Sequence, residues 1–261
     1  SGLAIQSQTT SMAAALPSTA TAATTSSTAP VYLPTKIYNG ARDVALSPDN
    51  AFFLVSGYKT VTHVDTNTNT ATRTYKGFRW PWGLDISPDT SFALVADEGG
   101  RNIGHIDLRT HQVSFPYPKE GIESPRSVAI SPDASFALFT NQGHNNIGRI
   151  NLRTNSITFH YNNTGLDLPC GIAISPDNRH AIVSNKNNST IALIDLQTDE
   201  VSFPFPDAGF DFPHGVAFSP NGALVLVANS KGNNVACIDF HTRQVTFLGL
   251  SLIHISEPTR Q

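Results

Sequence analysis

His214 and the adjacent acids Asp97 and Glu98 are the residues of this chain with the means to move protons or hold a cation. Imidazole titrates near neutrality and suits a general base, which makes His214 the first candidate for that role. A hard cation prefers carboxylate oxygens, but calcium and magnesium sites gather more of them than Asp97 and Glu98 supply, so no metal site is assigned. Trp82, between Pro81 and Gly83 and close to Trp80, offers an aromatic face for a sugar or aromatic ligand, or else packs against its neighbours. Cys170 would be nucleophilic only where its surroundings lower its pKa. Asp85 stands where Ala45, Ala129, Ala173 and Ala217 stand in parallel stretches. A carboxylate there needs a donor, for which Arg126 is the expected partner.

Those parallel stretches are an internal repeat. Ser-Pro-Asp occurs at 47–49, 87–89, 131–133 and 175–177, and Ser219-Pro220-Asn221 follows, in steps of 40, 44, 44 and 44 residues. A second anchor has the same period: Val64-Asp65, Ile106-Asp107, Ile150-Asn151, Ile194-Asp195 and Ile238-Asp239 each precede a turn ending in Thr68, Thr110, Thr154, Thr198 or Thr242. Within one unit the extended runs are 171–175, 180–184, 191–194 and 201–205, too short for helices and separated by turn residues. Proline sets φ at the first turn corner, and Asn50, Asn178 or Gly222 suits a left-handed position just after it.

Four short strands in a unit of about 40–45 residues cannot bury both faces alone, and radial stacking of such units gives a β-propeller. The expected fold is all-β, with four-stranded antiparallel blades and five repeats entered near residues 41, 82, 126, 170 and 214. Val31–Tyr38 reads as a blade-closing outer strand. Together with the five repeats it implies a fragment of a six- or seven-bladed parent.

In such a fold the residue entering each inner strand lies on one rim, here Arg42, Trp82, Arg126, Cys170 and His214. These differ from unit to unit while their neighbours barely change, so they either contact a ligand or fill an uneven channel mouth. A second ring follows the second strand: Asp97, Asn141, Asn185 and Asn229. Asparagine there also has a plain turn role, because its side chain bonds nearby backbone. All nine are candidate ligand-binding residues. None is assigned a catalytic role; an enzyme would use His214 and Glu98. His144, on the same rim, is a weaker candidate, and the remaining histidines read as surface or packing residues.

The segments Pro169–Asp177 and Pro213–Asn221, with Val227-Ala228-Asn229 and Ile238-Asp239, resemble YVTN-type propeller repeats, and NHL repeats are similar. Asn102–Asp107, Asn146–Asn151 and Pro116-Tyr117-Pro118 resemble the repeats of streptogramin B lyases. That resemblance implies magnesium-assisted elimination by histidine and glutamate, and only Glu98 stands near the family's glutamate. Likeness to lactonase-type propellers is weaker, since their calcium ligands have no defensible counterparts. Fold alone does not fix activity.

Composition narrows the partners. A net charge of -3 without basic clusters gives no electrostatic footprint for nucleic acid. No apolar run is long enough to span a membrane. Two cysteines make neither a disulfide framework nor a zinc motif. Residues 1–30, rich in Ala, Thr and Ser and free of charge, read as a disordered tether. Their hydroxyls suit a secreted or cell-surface protein. Leu250–Arg260 resembles a translated sequencing-library adapter, so 250–261 is expected to be a non-native tail and the natural chain to continue past Gly249. The expected function is a noncatalytic propeller, without cofactor, binding a protein, glycan or small molecule at its axial mouth. The alternatives are an exported lyase or lactonase using a divalent cation, and a structural cell-surface repeat protein.

Overall fold

The computed structural model describes residues 40–206 and 208–249. The tether at 1–30, the strand at Val31–Tyr38 and the tail at 250–261 lie outside the described residues. What is described is a β-propeller of five four-stranded antiparallel blades, each a meander in chain order. Blade 1 holds β1 (Asp43–Leu46), β2 (Phe52–Gly57), β3 (Thr60–Asp65) and β4 (Thr70–Tyr75). Blade 2 holds β5 (Pro81–Ile86), β6 (Phe92–Asp97), β7 (Asn102–Asp107) and β8 (Val113–Ser114). Blade 3 holds β9 (Pro125–Ile130), β10 (Phe136–Asn141), β11 (Asn146–Asn151) and β12 (Ile157–His160). Blade 4 holds β13 (Pro169–Ile174), β14 (His180–Asn185), β15 (Thr190–Asp195) and β16 (Glu200–Ser202). Blade 5 holds β17 (Pro213–Phe218), β18 (Leu224–Asn229), β19 (Asn234–Asp239) and β20 (Val245–Gly249).

The repeated turn residues do the same work in every blade. In the Ser-Pro-Asp hairpins the serine hydroxyl bonds the acid two residues on, as from Ser87 to Asp89 at 2.7 Å, and accepts the amide that opens the second strand, as from Phe92 at 3.0 Å. The next residue takes positive φ at Asn50, Thr90, Ala134, Asn178 and Gly222. Thr90 and Ala134 show that the hydrogen bonds impose this conformation even on residues that disfavour it. In the second hairpin the carboxylate or amide oxygen of Asp65, Asp107, Asn151, Asp195 and Asp239 accepts the amide of the threonine three residues on. Accepting these bonds holds the four aspartates below the usual carboxylate range.

Each blade buries its faces against its neighbours. Four apolar clusters fill the four junctions, with Leu54, Val95 and Ile106 at the first and Ile182, Val225 and Ile238 at the last. A fully buried aliphatic side chain contributes about 1.5–3 kcal/mol, so these junctions are the main source of stability. The pattern changes at the two ends. β10 is buried at every residue, whereas β18 alternates, with Leu224 and Leu226 40% and 45% exposed. On blade 1, Val44 and Leu46 are 61% and 55% exposed. The outward faces of blades 1 and 5 are thus left uncovered among the described residues.

Glycines on the inner strands show how close the blades come. A Cβ on Gly83 would lie 2.5 Å from Ser127 Cα, and one on Gly171 would overlap the His214 carbonyl oxygen. At Gly215 the same Cβ would meet nothing within 4 Å. Gly171→Ala is therefore expected to lower stability by about 1–3 kcal/mol through overpacking. Gly215→Ala should stay within about 0.5 kcal/mol. Urea unfolding of the two variants checks this, and equal losses would contradict it.

Candidate functional site at the axial mouth

The five inner strands line a cavity of about 690 Å³, and Arg42, Trp82, Arg126, Cys170 and His214 all lie on its wall. Hydroxyls on the second strands hold this rim in place. Ser56 Oγ donates to the Trp82 carbonyl, Thr140 Oγ1 to the Cys170 carbonyl at 3.1 Å, and Ser184 Oγ to the His214 carbonyl. Each oxygen also accepts an amide of its own blade's inner strand, from Asp43, Ser127 and Gly171 at 3.1, 3.0 and 2.9 Å. Blade 2 carries Ala96 at this position. Arg126 is fixed instead by its side chain, whose Nη1 lies 3.1 Å from Glu98 Oε2.

Trp82 is not the open platform its sequence setting suggests. The guanidinium carbons of Arg42 and Arg126 lie 4.0 and 3.5 Å from its ring centre. The two arginines come from the blades on either side, and at these distances they cannot share one face. Both faces of the indole are therefore covered by cations, an arrangement favoured by the ring quadrupole, and no face remains for a stacked sugar. The Asp85 expectation also needs correction. Its Oδ2 accepts the Ile130 amide of the next blade at 2.7 Å and its Oδ1 the Ile86 amide at 2.8 Å, while Arg126 goes to Glu98. Asp43 acts alike one blade earlier, accepting the Leu84 amide at 3.0 Å. Both acids line the channel and cap inner-edge amides that no strand pairs. Burial is the main cause raising both carboxyls, Asp85 to about 7 with a smaller push from Asp43.

His214 is half-buried on the wall. Burial first, and then the charges of Arg126 and Lys186, push its imidazole below the usual 6.5, which favours the neutral ring. Cys170 is buried, with Gln142 Nε2 3.2 Å from its Sγ. Burial raises its thiol, which makes it a poor nucleophile.

The second ring does not reach the cavity. Asp97, Asn141, Asn185 and Asn229 are all buried, and each accepts the amide of a residue 17 or 18 positions earlier: Trp80 at 2.7 Å, Glu123 at 2.6 Å, Asp167 at 3.3 Å and Asp211 at 2.6 Å. They brace the loop that leads into each inner strand. Asp97 takes a further bond from the Arg79 amide, and one oxygen of Glu98 is engaged by Arg126. Among the described residues no three His, Cys, Asp or Glu side chains converge to hold a metal ion. The magnesium chemistry implied by the lyase resemblance does not fit these residues. His144 sits exposed on a short 3-10 turn, Gln142–His144, away from the cavity. Sequence reasoning missed Asp43 and the hydroxyl clips. The first had a signal: Asp43 stands where other units carry Gly83, Ser127, Gly171 and Gly215.

With this geometry in place, comparison with known proteins adds the following. A family described as Lactonase, 7-bladed beta-propeller matches residues 158–259. No curated protein matches the chain. Among solved structures, Kuenenia stuttgartiensis Hydrazine Synthase is similar at 19% identity, with a TM-score of 0.65, covering 84% of this chain and 70% of that one. At that identity the likeness concerns the fold. No helix among the described residues is long and apolar enough to cross a membrane.

The raised Asp85 carboxyl makes stability depend on pH. Between the ordinary 3.8 and about 7 the folded state keeps a proton that the unfolded chain releases, so Asp85 costs stability as pH rises through that window. Asp85→Asn keeps an acceptor for the Ile130 amide, loses the one for the Ile86 amide at every pH, and removes the pH-dependent cost. The variant should therefore gain on the parent between about pH 4 and pH 7, by an amount on the order of 2–4 kcal/mol given 1.36 kcal/mol per pKa unit and some water in the channel. Unfolding curves across that range check the sign, and a pH-independent difference would contradict it.

Proposed function

We propose that the chain is a noncatalytic propeller that holds a small ligand at its axial mouth. The observation that carries this reading is the convergence of five unlike side chains, one from each blade, on one cavity of about 690 Å³, a volume in the range of small-molecule sites. Their neighbours repeat from blade to blade, so the variation falls where a ligand would touch. By the same reading the Ser/Thr-rich stretch before the blades tethers a secreted or cell-surface protein. Thermal unfolding of the full chain with a set of neutral sugars, amines and carboxylates tests the proposal. A ligand present at 100 times its Kd adds about 2.7 kcal/mol. At least one class should stabilise the parent and lose that effect in His214→Ala or Arg126→Ala; stabilisation that survives both substitutions would overturn it.

A lactonase is the second reading, favoured by the family match over residues 158–259 and by a neutral His214 able to act as a base. Glucono-δ-lactone with the full chain, with and without calcium or magnesium, separates the two. A binder leaves the lactone to open at the buffer rate. Turnover above that rate, lost in His214→Gln, would replace the binding reading with the catalytic one.

A further inference from the structure

We propose that the axial mouth is a carboxylate site, in which the guanidinium of Arg42 and the indole N–H of Trp82 donate to the two oxygens of one carboxylate. This rests on the reading that the mouth holds a small ligand, and it specifies that ligand's chemistry.

Two facts converge on it. First, Arg42 Nη1 and Trp82 Nε1 are both buried without a hydrogen-bond partner, and both residues lie on the cavity wall. Buried donors are normally satisfied, and an orphaned pair side by side marks a place where something accepts. The Arg42 guanidinium carbon lies 4.0 Å from the centre of the indole ring, so the two unpartnered donors belong to residues in contact on one wall. The other unpartnered atoms, on Asn102, Asn178, His180 and Arg243, belong to residues off this cavity.

The second fact is the charge balance. Arg126 is neutralised by Glu98, whereas Arg42 makes no ion pair among the described residues. The rim thus has positive charge without a paired acid at Arg42, and Lys186, whose charge reaches His214 and Cys170, makes no ion pair among the described residues either. A guanidinium matches the planar fork of a carboxylate, and such charge-assisted bonds are about twice as strong as neutral ones. Asp43 and Asp85 line the same channel. Their presence opposes a second negative charge, which disfavours a dianion such as phosphate or sulfate.

The two indole N–H resonances of the 15N-labelled full chain provide the test, with Trp80→Phe assigning the signal of Trp82. Sodium acetate should move the Trp82 resonance saturably, while acetamide, of the same shape without charge, should move it at least roughly tenfold more weakly. Sulfate at matched ionic strength should also bind more weakly than acetate. Arg42→Gln should weaken acetate roughly tenfold or more, Arg42→Lys should weaken it less, and Arg243→Gln should leave it unchanged. Should Arg42→Gln fail to fold, acetate against acetamide on the parent still decides. Equal responses to acetate and acetamide overturn the carboxylate assignment while leaving a small-ligand mouth standing. No Trp82 response to acetate overturns it as well, and stabilisation by a neutral ligand then separates that failure from failure of the binding reading.

Discussion

The near-contact of successive inner strands is the constraint on which this structure depends. Gly83 faces Ser127 and Gly171 faces the His214 carbonyl with no room for a Cβ, so the radius of the channel is set by backbone meeting backbone. Hydroxyls of Ser56, Thr140 and Ser184 then tie blades 1, 3 and 4 to the carbonyl of the next blade's entering residue. Distance from the axis and orientation of the rim are both fixed before any rim side chain is chosen. Those side chains are free to vary because the fold does not need them.

What varies has been used to build a stack of one ion pair and two cation–π contacts. Glu98 balances Arg126, Arg126 covers one face of Trp82, and Arg42 covers the other. Three blades contribute to the stack, so it forms only when the blades are correctly placed. Further along the channel the logic changes. Asp43 and Asp85 serve as caps for exposed strand-edge amides, at the expense of burying carboxyls that resist ionisation. The channel is positive at its mouth and weakly acidic along its wall, and burial, with the charges of Arg126 and Lys186, lowers the His214 imidazole.

Much of the fold was legible because local chemistry repeats. Ser-Pro-Asp and the Asp-to-Thr turns appear in the sequence at the spacing at which they close hairpins, so blade number, strand order and rim membership followed from them. The loop brace was only half legible. Asn141, Asn185 and Asn229 signalled a backbone role by recurring, and Asp97 looked different because it is charged, yet it makes the same bond. The site was harder because its partners meet between neighbouring blades. Glu98 and Arg126 lie 28 residues apart, a separation with no local signal. Trp82 looked like a platform because a sequence shows a side chain without showing which neighbours cover its faces.

The covered indole is also the most direct way to examine the account, since it exists only if blades 1, 2 and 3 converge on one axis. Acrylamide quenching of Trp82 fluorescence in Trp80→Phe reads the accessibility of that ring. Weak quenching, several-fold below that of free tryptophan, is the predicted result. Quenching as efficient as that of free tryptophan would contradict the convergence, and with it the grouping of residues at the mouth.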